Sequence, residues 1–316
     1  MAKEALVLGG AGFIGSNICH HLSAKGFRVI AVDGLLPRTS GNRANLLSDK
    51  GYIEFKEERV EDLHALPDLL RGCNLVVDAM GWTSHGEAFA DPDYDLALNL
   101  ASHLAVIRAL PAALPRKLVY LGSTHQYGRV EKGPVAETQP LVPVDVQGVH
   151  KAAAEHHYRI ASQRHGFPVI SLRFGNTFGP GQPLAGTDVG LVGDMIRRAL
   201  AGETITVYGE ERYRTLHYAP DLANIVEQLV ALEVTGFLAM NVPGQRVAIA
   251  EVAKKIASCA GGTIVHAPLP APVAAVDIGN PPFDCRLFEK HFGEHRPTPL
   301  EEAIAATVQH GREVLA

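Results

Sequence analysis

The sequence predicts an α/β protein built on a doubly wound parallel sheet, and three observations support this fold class. An apolar segment over residues 6–8 leads directly into a glycine turn, Gly9-Gly10-Ala11-Gly12-Phe13-Ile14-Gly15, after which a helical pattern begins. A second apolar segment, over residues 27–32, ends at the acidic residue Asp33. Beyond it, segments of strand length alternate with helical patterns, as is typical of parallel sheets flanked by helices.

The glycine turn has the most specific chemistry in the chain. Gly9, Gly12 and Gly15 fall three residues apart. The first allows a tight turn, the second lets the backbone approach a pyrophosphate, and the third lets the helix pack closely on the strand. The amides at the start of the helix, where Phe13 and Ile14 lie, are expected to point at the phosphates.

Asp33 indicates which dinucleotide is bound. An acid about 20 residues after a glycine turn suits the ribose hydroxyls of NAD and repels the additional phosphate of NADP. Arg38 and Arg43 are possible contacts for that phosphate, but both lie past the strand end, so NAD is predicted. Asp62 is a candidate for holding the adenine amino group, with a helix cap as the other interpretation.

The remaining elements follow in order along the chain. Strands are predicted over 52–56, 75–81, 117–121 and 169–174, with helices over 94–110 and from about 147. Past residue 180 the pattern is less regular, with helices over 192–201, 221–232, 249–260 and 300–314 and strands over 204–208 and 239–242. Residues 1–175 are therefore predicted to form an NAD-binding Rossmann domain, with a return near 215–240. Residues 176–316 are predicted to form mainly a smaller C-terminal α/β substrate-binding domain.

Composition excludes several other classes of function. The net charge of −5 is mild and dispersed, which argues against a nucleic-acid or anionic-membrane partner. The four cysteines have no paired spacing, so neither a metal nor a disulfide framework is predicted. Neither a signal peptide nor an apolar run of about 18 residues is recognisable, and a cytoplasmic protein without a membrane span is expected.

Motifs along nearly the whole chain resemble the extended short-chain dehydrogenase/reductase family, which contains nucleotide-sugar epimerases and dehydratases. The matching segments are the glycine turn, residues 32–33 with 40–46, Ser123 with Tyr127-Gly128, residues 173–180, and residues 214–221. Ala79, Met80 and Gly81, at the end of the fourth strand, are small enough for a cofactor lying across the sheet. Asn99 matches a family asparagine, and Phe174 lies in the sixth-strand signature; both are expected near NAD.

The family's chemistry depends on Ser or Thr together with Tyr and Lys, the last two being four residues apart on a helix. Ser123 and Lys151 are present, but Gln147 occupies the tyrosine position. An amide can donate or accept hydrogen bonds but cannot act as a base near neutral pH. Gln147 is therefore expected to be a hydrogen-bonding residue of the site, and the proton acceptor must lie elsewhere.

Two histidines are candidates for that proton acceptor. His125 lies two residues after Ser123, where related dehydratases carry an acidic base, and Thr124 matches their catalytic aspartate. Histidine titrates near working pH, which suits the role. His85, in the loop after the fourth strand, is the second candidate. The other interpretation of both is a solvated histidine.

Substrate contacts are expected from Thr83, Thr124, Asn176 and Arg214. Arg214 matches the family arginine that meets the substrate diphosphate, with a surface salt bridge as the alternative. The segment over 186–194 resembles the family's lid, whereas residues 268–282 lack the arginine that family members commonly carry there.

The resemblance implies an NAD-dependent enzyme that epimerises or dehydrates a nucleotide-activated sugar with an acid/base other than tyrosine. A family relative without redox activity, serving as a sensor or partner subunit, is the alternative. A lyase or isomerase that uses the site without net redox is a third hypothesis. The helices starting near Tyr94 and Gln147 form a dimerising four-helix bundle in this family, so a homodimer is expected.

Overall fold

The computed structural model describes residues 3–47, 51–131, 133–186, 188–209 and 211–315. Its strands, in chain order, are β1 (Glu4–Leu8), β2 (Arg28–Asp33), β3 (Ile53–Glu57), β4 (Leu75–Asp78), β5 (Leu118–Leu121), β6 (Val169–Arg173), β7 (Asn176–Phe178), β8 (Ile205–Tyr208), β9 (Tyr213–Tyr218), β10 (Phe237–Asn241), β11 (Gln245–Ala248) and β12 (Ile264–Ala267).

The α-helices, in chain order, are α1 (Phe13–Ala24), α2 (Leu66–Gly72), α3 (His85–Ala90), α4 (Pro92–Leu96), α5 (Ser102–Ala109), α6 (Val146–His165), α7 (Gly190–Leu200), α8 (Ala219–Gln228), α9 (Ile249–Ala260), α10 (Ala271–Ala275), α11 (Arg286–Phe292) and α12 (Leu300–Leu315). Short 3₁₀ turns follow β2, α5 and β5. None of the helices in the described ranges is long and apolar enough to cross a membrane.

The central sheet has seven parallel strands in the order β10-β6-β5-β4-β1-β2-β3. Strand order reverses beside β1, which is the topological switch point where such sheets bind ligands. The predicted Rossmann fold class is therefore confirmed. Its interior strands are apolar on both faces, as parallel strands covered by helices must be.

Two apolar layers cover the sheet. On one face α1 and α8 pack together, with Ile18 and Leu22 beside Leu222 and Ile225. On the other face α2, α5 and α6 bury Leu70, Val106 and Tyr158 among other side chains. These layers fix the strand ends, and hence the segments that follow them, in one arrangement.

A third apolar cluster holds together the part of the chain after β7. Helices α7, α9 and α12 pack with β8, β9 and β11, burying residues such as Ile196, Ile256 and Ile304. Two small sheets belong to this part, β11-β9-β7 and β12-β8. The strand β10 lies outside it, at the edge of the central sheet beside β6.

The observed elements differ from the sequence expectation at several places, among them three that involve helices. The predicted helix over 94–110 is interrupted by a π-helical turn, Ala97–Ala101, which is where the buried Asn99 side chain bonds to neighbouring groups. The loop predicted after the fourth strand contains α3. The proline-rich segment expected to be irregular contains α10, which has a proline in its first turn.

Candidate active site

A cavity of about 550 Å³ lies at the carboxyl edge of the central sheet. Its lining comes from the segments that follow β1, β2, β4, β5 and β6, together with α6, the segment before α7, and residues 272–277. All five residues proposed as catalytic line it: His85, Ser123, His125, Gln147 and Lys151. The fold therefore brings these side chains together at one place, and their roles stay a prediction.

The glycine turn fits a pyrophosphate. A Cβ on Gly15 would lie 2.1 Å from the carbonyl oxygen of Gly9, so helix and turn could not approach this closely with any other residue. Gly9 has a φ of +74°, a conformation that favours glycine. The first turn of α1 carries no acidic side chain, and its first amide, that of Phe13, donates to Ser40 Oγ at 3.1 Å. The positive end of the helix dipole faces the cavity. Gly12, Phe13 and Ile14 also line the cavity.

Asp33 lines the cavity at the end of β2. Its Oδ1 accepts a hydrogen bond from the amide of Leu35 at 2.9 Å, and its Oδ2 accepts one from the amide of Ala11 at 3.1 Å. Burial raises the pKa of this carboxyl, although these backbone bonds act in the opposite direction. Arg38, one candidate for a 2′-phosphate, lies elsewhere: its guanidinium is 3.9 Å from the Tyr94 ring centroid and pairs with Asp91 at 2.7 Å.

Lys151 is held from α6 between the ends of β4 and β5. Its Nζ donates to the carbonyl of Met80 at 2.9 Å and of Leu121 at 3.3 Å. A Cβ on Gly81 would lie 2.7 Å from that Nζ, so a glycine is needed for the ammonium to fit. Burial lowers the pKa of Lys151 to about 8, while Asp78 and Asp95 act in the opposite direction. Ala79, Met80, Gly81 and Phe174 line the cavity around this group.

Gln147 is buried one turn before Lys151, and its Nε2 donates to the carbonyl of Trp82 at 2.5 Å. The amide therefore anchors the loop after β4, and no proton-transferring group replaces the tyrosine on this turn. Ser123 accepts the amide of His125 at 3.1 Å through Oγ, which leaves its hydroxyl proton available to donate.

The two candidate histidines meet at one carboxylate. His125 Nδ1 bonds to Asp145 Oδ2 at 2.8 Å, and His85 Nδ1 lies 3.1 Å from the same oxygen. The imidazole rings are stacked with centroids 4.2 Å apart and an interplanar angle of 29°. Asp145 caps α6, because its Oδ1 accepts the amide of Gly148 at 2.6 Å. The carboxylate is thus fixed in place before it contacts either histidine.

Charge states in this cluster follow from burial and proximity. Burial, and then the neighbouring His85, lower the pKa of His125 below its ordinary value, and the bond to Asp145 only partly offsets them. Burial alone would raise the pKa of Asp145, but contacts with His125 and His85 hold it well below the usual range. At neutral pH the pair is therefore a carboxylate beside a neutral imidazole, the protonation state that a base requires.

Nδ1 of each histidine and Oδ2 of Asp145 all lie within 4.8 Å of one another, a spacing that a metal ion can bridge. Imidazole donates to a metal in the plane of its ring. Both Nδ1 atoms already face the same oxygen of Asp145, His125 at 2.8 Å and His85 at 3.1 Å. The arrangement suits proton exchange, and we assign no metal to it.

Arg214 and Arg212 add positive charge to the cavity wall beside Asp277. Nη2 of each lies close to Asp277 Oδ2, at 2.6 Å for Arg214 and 2.5 Å for Arg212. One carboxylate oxygen thus faces two guanidinium groups, and the set has a net positive charge. Arg214 is tied to this segment through the carbonyl of Gly279 as well, at 3.1 Å. Asn176 also lines this cavity.

Thr83 connects the loop after β4 to the segment before α7. Its hydroxyl and amide both donate to Asp188, whose pKa burial raises to about 6 despite these bonds. Both residues line the cavity. Residue 187, inside the predicted lid, lies outside the described residues.

Three residues predicted to contact cofactor or substrate lie outside the cavity lining. Asp62 is exposed, and the neighbouring Glu61 lines the cavity. Asn99 is buried behind the lining, with its amide group used by Trp82 and Asp95. Thr124 is buried toward Gly175 and lines only a separate void of about 20 Å³.

Sequence reasoning missed three acidic residues of the site: Asp145, Asp188 and Asp277. Only Asp145 carries a local signal, since an aspartate before a helical pattern is a typical N-cap. Its contact with His125 depends on packing between α6 and the 3₁₀ turn after β5, which no local pattern shows.

Comparison with known proteins agrees with this geometry. Residues 5–238 match the model of the NAD dependent epimerase/dehydratase family. Low-salt glycan biosynthesis protein Agl12 of Haloferax volcanii is 28% identical over 213 residues, 66% of each chain. UDP-glucose 4-epimerase of Streptomyces lividans is 26% identical over 223 residues, 67% of this chain and 64% of that one. The chain thus spans about two thirds of the length of these curated relatives.

Among solved structures, the Thermus thermophilus UDP-glucose 4-epimerase in complex with NAD superposes with a TM-score of 0.83. It is 28% identical, and the match covers 98% of this chain and 99% of that one. The predicted family and cofactor are both confirmed: the chain belongs to the NAD dependent epimerase/dehydratase family.

Proposed function

We propose that the protein modifies a nucleotide-activated sugar by epimerisation or dehydration, with His125 in the role that tyrosine has elsewhere in the family. The observation that carries the proposal is one cavity lined by the glycine turn, Lys151, Ser123 and a carboxylate-bound histidine. NAD, when bound, accepts a hydride from a sugar carbon and returns it. The curated relatives named above include a UDP-sugar epimerase, which supports a nucleotide sugar as substrate.

His125 is suited to take the proton of the sugar hydroxyl. Since the carboxylate of Asp145 can only accept, the proton of the neutral ring lies on Nδ1. Nε2 then carries the lone pair that removes the hydroxyl proton. As the imidazolium forms, the buried negative charge of Asp145 stabilises it.

The other side chains of the site hold and orient the substrate and the cofactor. The Ser123 hydroxyl would donate to the substrate oxygen. The ammonium of Lys151 would hold the nicotinamide ribose and supply positive charge to the site. Arg212 and Arg214 hold the substrate diphosphate, exchanging their contact with Asp277 for the phosphate oxygens. Asn176 and Thr83 complete the contacts to the sugar.

In this proposal, cofactor binding and substrate binding belong to different parts of the chain. Residues 1–175, with the return near 215–240, hold the cofactor, and residues 176–316 mainly hold the substrate. We further propose a cytoplasmic homodimer. Apolar side chains on α4 and α6 support the dimer, since Leu96 is 40% and Val149 48% exposed.

Absorbance at about 340 nm tests the proposal, because it reports the reduced cofactor. The purified protein is mixed with NAD and then with UDP- and dTDP-hexoses in turn. A transient rise with one sugar, followed by release of an altered sugar, is expected. Binding of NAD without absorbance change or product for any nucleotide sugar would overturn the proposal in favour of a relative without redox activity. Product without a transient would favour the lyase or isomerase.

A further inference from the structure

The oxidation of a hydroxyl as proposed above uses His125 as the base and gives His85 no role. His85 nevertheless belongs to the same cluster as His125. It enters the cavity from the first residue of α3, a different element from the turn that carries His125. Its ring nevertheless stacks on His125, and its Nδ1 lies 3.1 Å from the oxygen that His125 binds. That Nδ1 is buried and has no hydrogen-bond partner in the described structure, so Asp145 is bonded to only one of the two rings.

One carboxylate can stabilise one imidazolium at a time. Two protonated rings with centroids 4.2 Å apart would repel each other, and Asp145 carries a single negative charge. The cluster can therefore hold at most one extra proton at a time, on either His125 or His85. When one ring is an acid the other is a base, and such a pair can donate and accept protons at neighbouring positions of one substrate.

We propose that His85 is the second base of this site and removes a proton from the carbon adjacent to the newly formed carbonyl, so that the enzyme eliminates water from its sugar. The inference rests on the proposed function and specifies its reaction class. The substrate class is then a nucleotide hexose with a hydroxyl on the carbon beyond the one that loses its proton.

The cluster begins and ends the cycle without an extra proton and carries one in between, because His85 takes up a proton in the step in which His125 gives one away. His125 takes the hydroxyl proton while the hydride leaves the same carbon, which gives a ketone and an imidazolium at His125. His85 then takes the proton of the adjacent carbon, and that electron pair forms the carbon–carbon double bond as the next hydroxyl leaves. His125 gives its proton to the departing hydroxyl, which leaves as water. Return of the hydride to the double bond and of the His85 proton to carbon completes the cycle.

The stacked geometry matches what this step requires. Elimination from one face of a sugar needs an acid and a base side by side, reaching neighbouring carbons. The rings of His85 and His125 are side by side, and both line the cavity. Thr124 is excluded as the acid, because it is buried outside this cavity and a hydroxyl cannot supply a proton readily near neutral pH.

Turnover in heavy water tests the proposal. The protein, NAD and the sugar that gives the 340 nm transient, for example UDP-glucose or dTDP-glucose, are incubated in D₂O, and the product is analysed by mass spectrometry and NMR. We expect loss of water and one deuterium on the carbon adjacent to the carbonyl. In His85→Asn the transient should persist while deuterium incorporation falls by about 100-fold or more.

His150→Asn is the matched control. His150 Nδ1 lies 2.6 Å from Asp95, so it is also a histidine paired with a buried carboxylate, but it lies outside the cavity lining. This variant should incorporate deuterium as the native protein does. The 340 nm transient in His85→Asn shows that the variant is folded and binds both ligands; if that variant gives none, His85→Gln is used in its place.

Two outcomes would overturn the inference. The first is a native protein that gives the transient and a product that contains no deuterium and has kept every oxygen of the substrate. Such a product results from epimerisation in which no proton is removed from carbon. The second is deuterium incorporation by His85→Asn and His85→Gln within about threefold of native. Both leave the proposed function intact, whereas absence of any transient would contradict the proposed function first.

Discussion

Replacing Asp145 with asparagine separates the two contacts that this residue makes. Its Oδ1 caps α6 by accepting the amide of Gly148 at 2.6 Å, and its Oδ2 binds His125 at 2.8 Å. Asparagine is as good an N-cap as aspartate, so its oxygen will keep the bond to Gly148. The amide nitrogen is then left facing Nδ1 of His125, where an acceptor is required.

The consequence for the reaction is large and the consequence for folding is small. An amide donor forces Nδ1 to accept, which moves the imidazole proton to Nε2 and removes the lone pair from the cavity. Loss of a general base typically lowers the rate by about 10²–10⁴-fold, and we expect Asp145→Asn to fall in this range. Its free energy of unfolding should change by less than about 1 kcal/mol, because the cap is retained.

Asp145→Ala is the matched comparison. It loses the base partner too, but it also removes the cap and leaves the buried amide of Gly148 without a partner. The lost cap costs about 0.5–2 kcal/mol of stability.

The assay combines the rate of the 340 nm transient with unfolding in urea, for native protein and both variants. Similar rate losses with clearly different unfolding midpoints are expected. A rate for Asp145→Asn within about threefold of native would refute the reasoning, because His125 would then not depend on its carboxylate.

Four further predictions follow from the structure. NAD should bind more tightly than NADP in titration calorimetry, because the carboxylate of Asp33 lies in the cavity; equal affinities would contradict this role. Arg214→Ala should weaken binding of UDP by about 2 kcal/mol in the same instrument without changing NAD affinity, and unchanged UDP affinity would mark a purely structural arginine. Glu155→Gln should lower the free energy of unfolding by about 3–5 kcal/mol in urea titration, since it leaves buried Arg173 without its charged partner at 2.5 Å. The rate of the transient should not change between pH 8 and pH 7, and should fall only when the pH drops through the lowered pKa of His125. A rate that is already lower at pH 7 than at pH 8 would exclude His125 as the base.

The fold was predictable because its signals are local. A strand, a glycine turn and a helix within residues 4–24 specify the start of a Rossmann sheet. The later strands and helices alternate in the same way, and each has an apolar pattern that can be recognised locally. The part of the chain after β7 has weaker local signals than the part before it. Strands β9 and β11 were missed, since they pair with each other and with β7 in a small sheet whose register depends on tertiary packing.

The site was predictable only as far as residue type and strand ends allow. Ser123, Lys151 and Gln147 follow from their spacing, and the ends of parallel strands bring them together. Asp145 did not follow, because it lies 20 residues from His125 along the chain. Asn99 shows the opposite case. Its side chain lies near the carboxyl end of β4, but its hydrogen-bonding groups are occupied by contacts within the π-helical turn and with the loop after β4.

The first turn of α6 shows what a glutamine does at the tyrosine position of the proposed site. Gln147 uses its amide to hold the carbonyl of Trp82, which fixes the loop leading to His85. Two residues earlier, Asp145 caps the same turn and orients His125. The helix start that would carry a phenol therefore positions both histidines without itself transferring a proton. Lys151, one turn later, keeps its place beside the ends of β4 and β5. Since Asp145 can be changed without replacing Gln147 or Lys151, the proposed proton transfer can be tested separately from the proposed positioning of the cofactor.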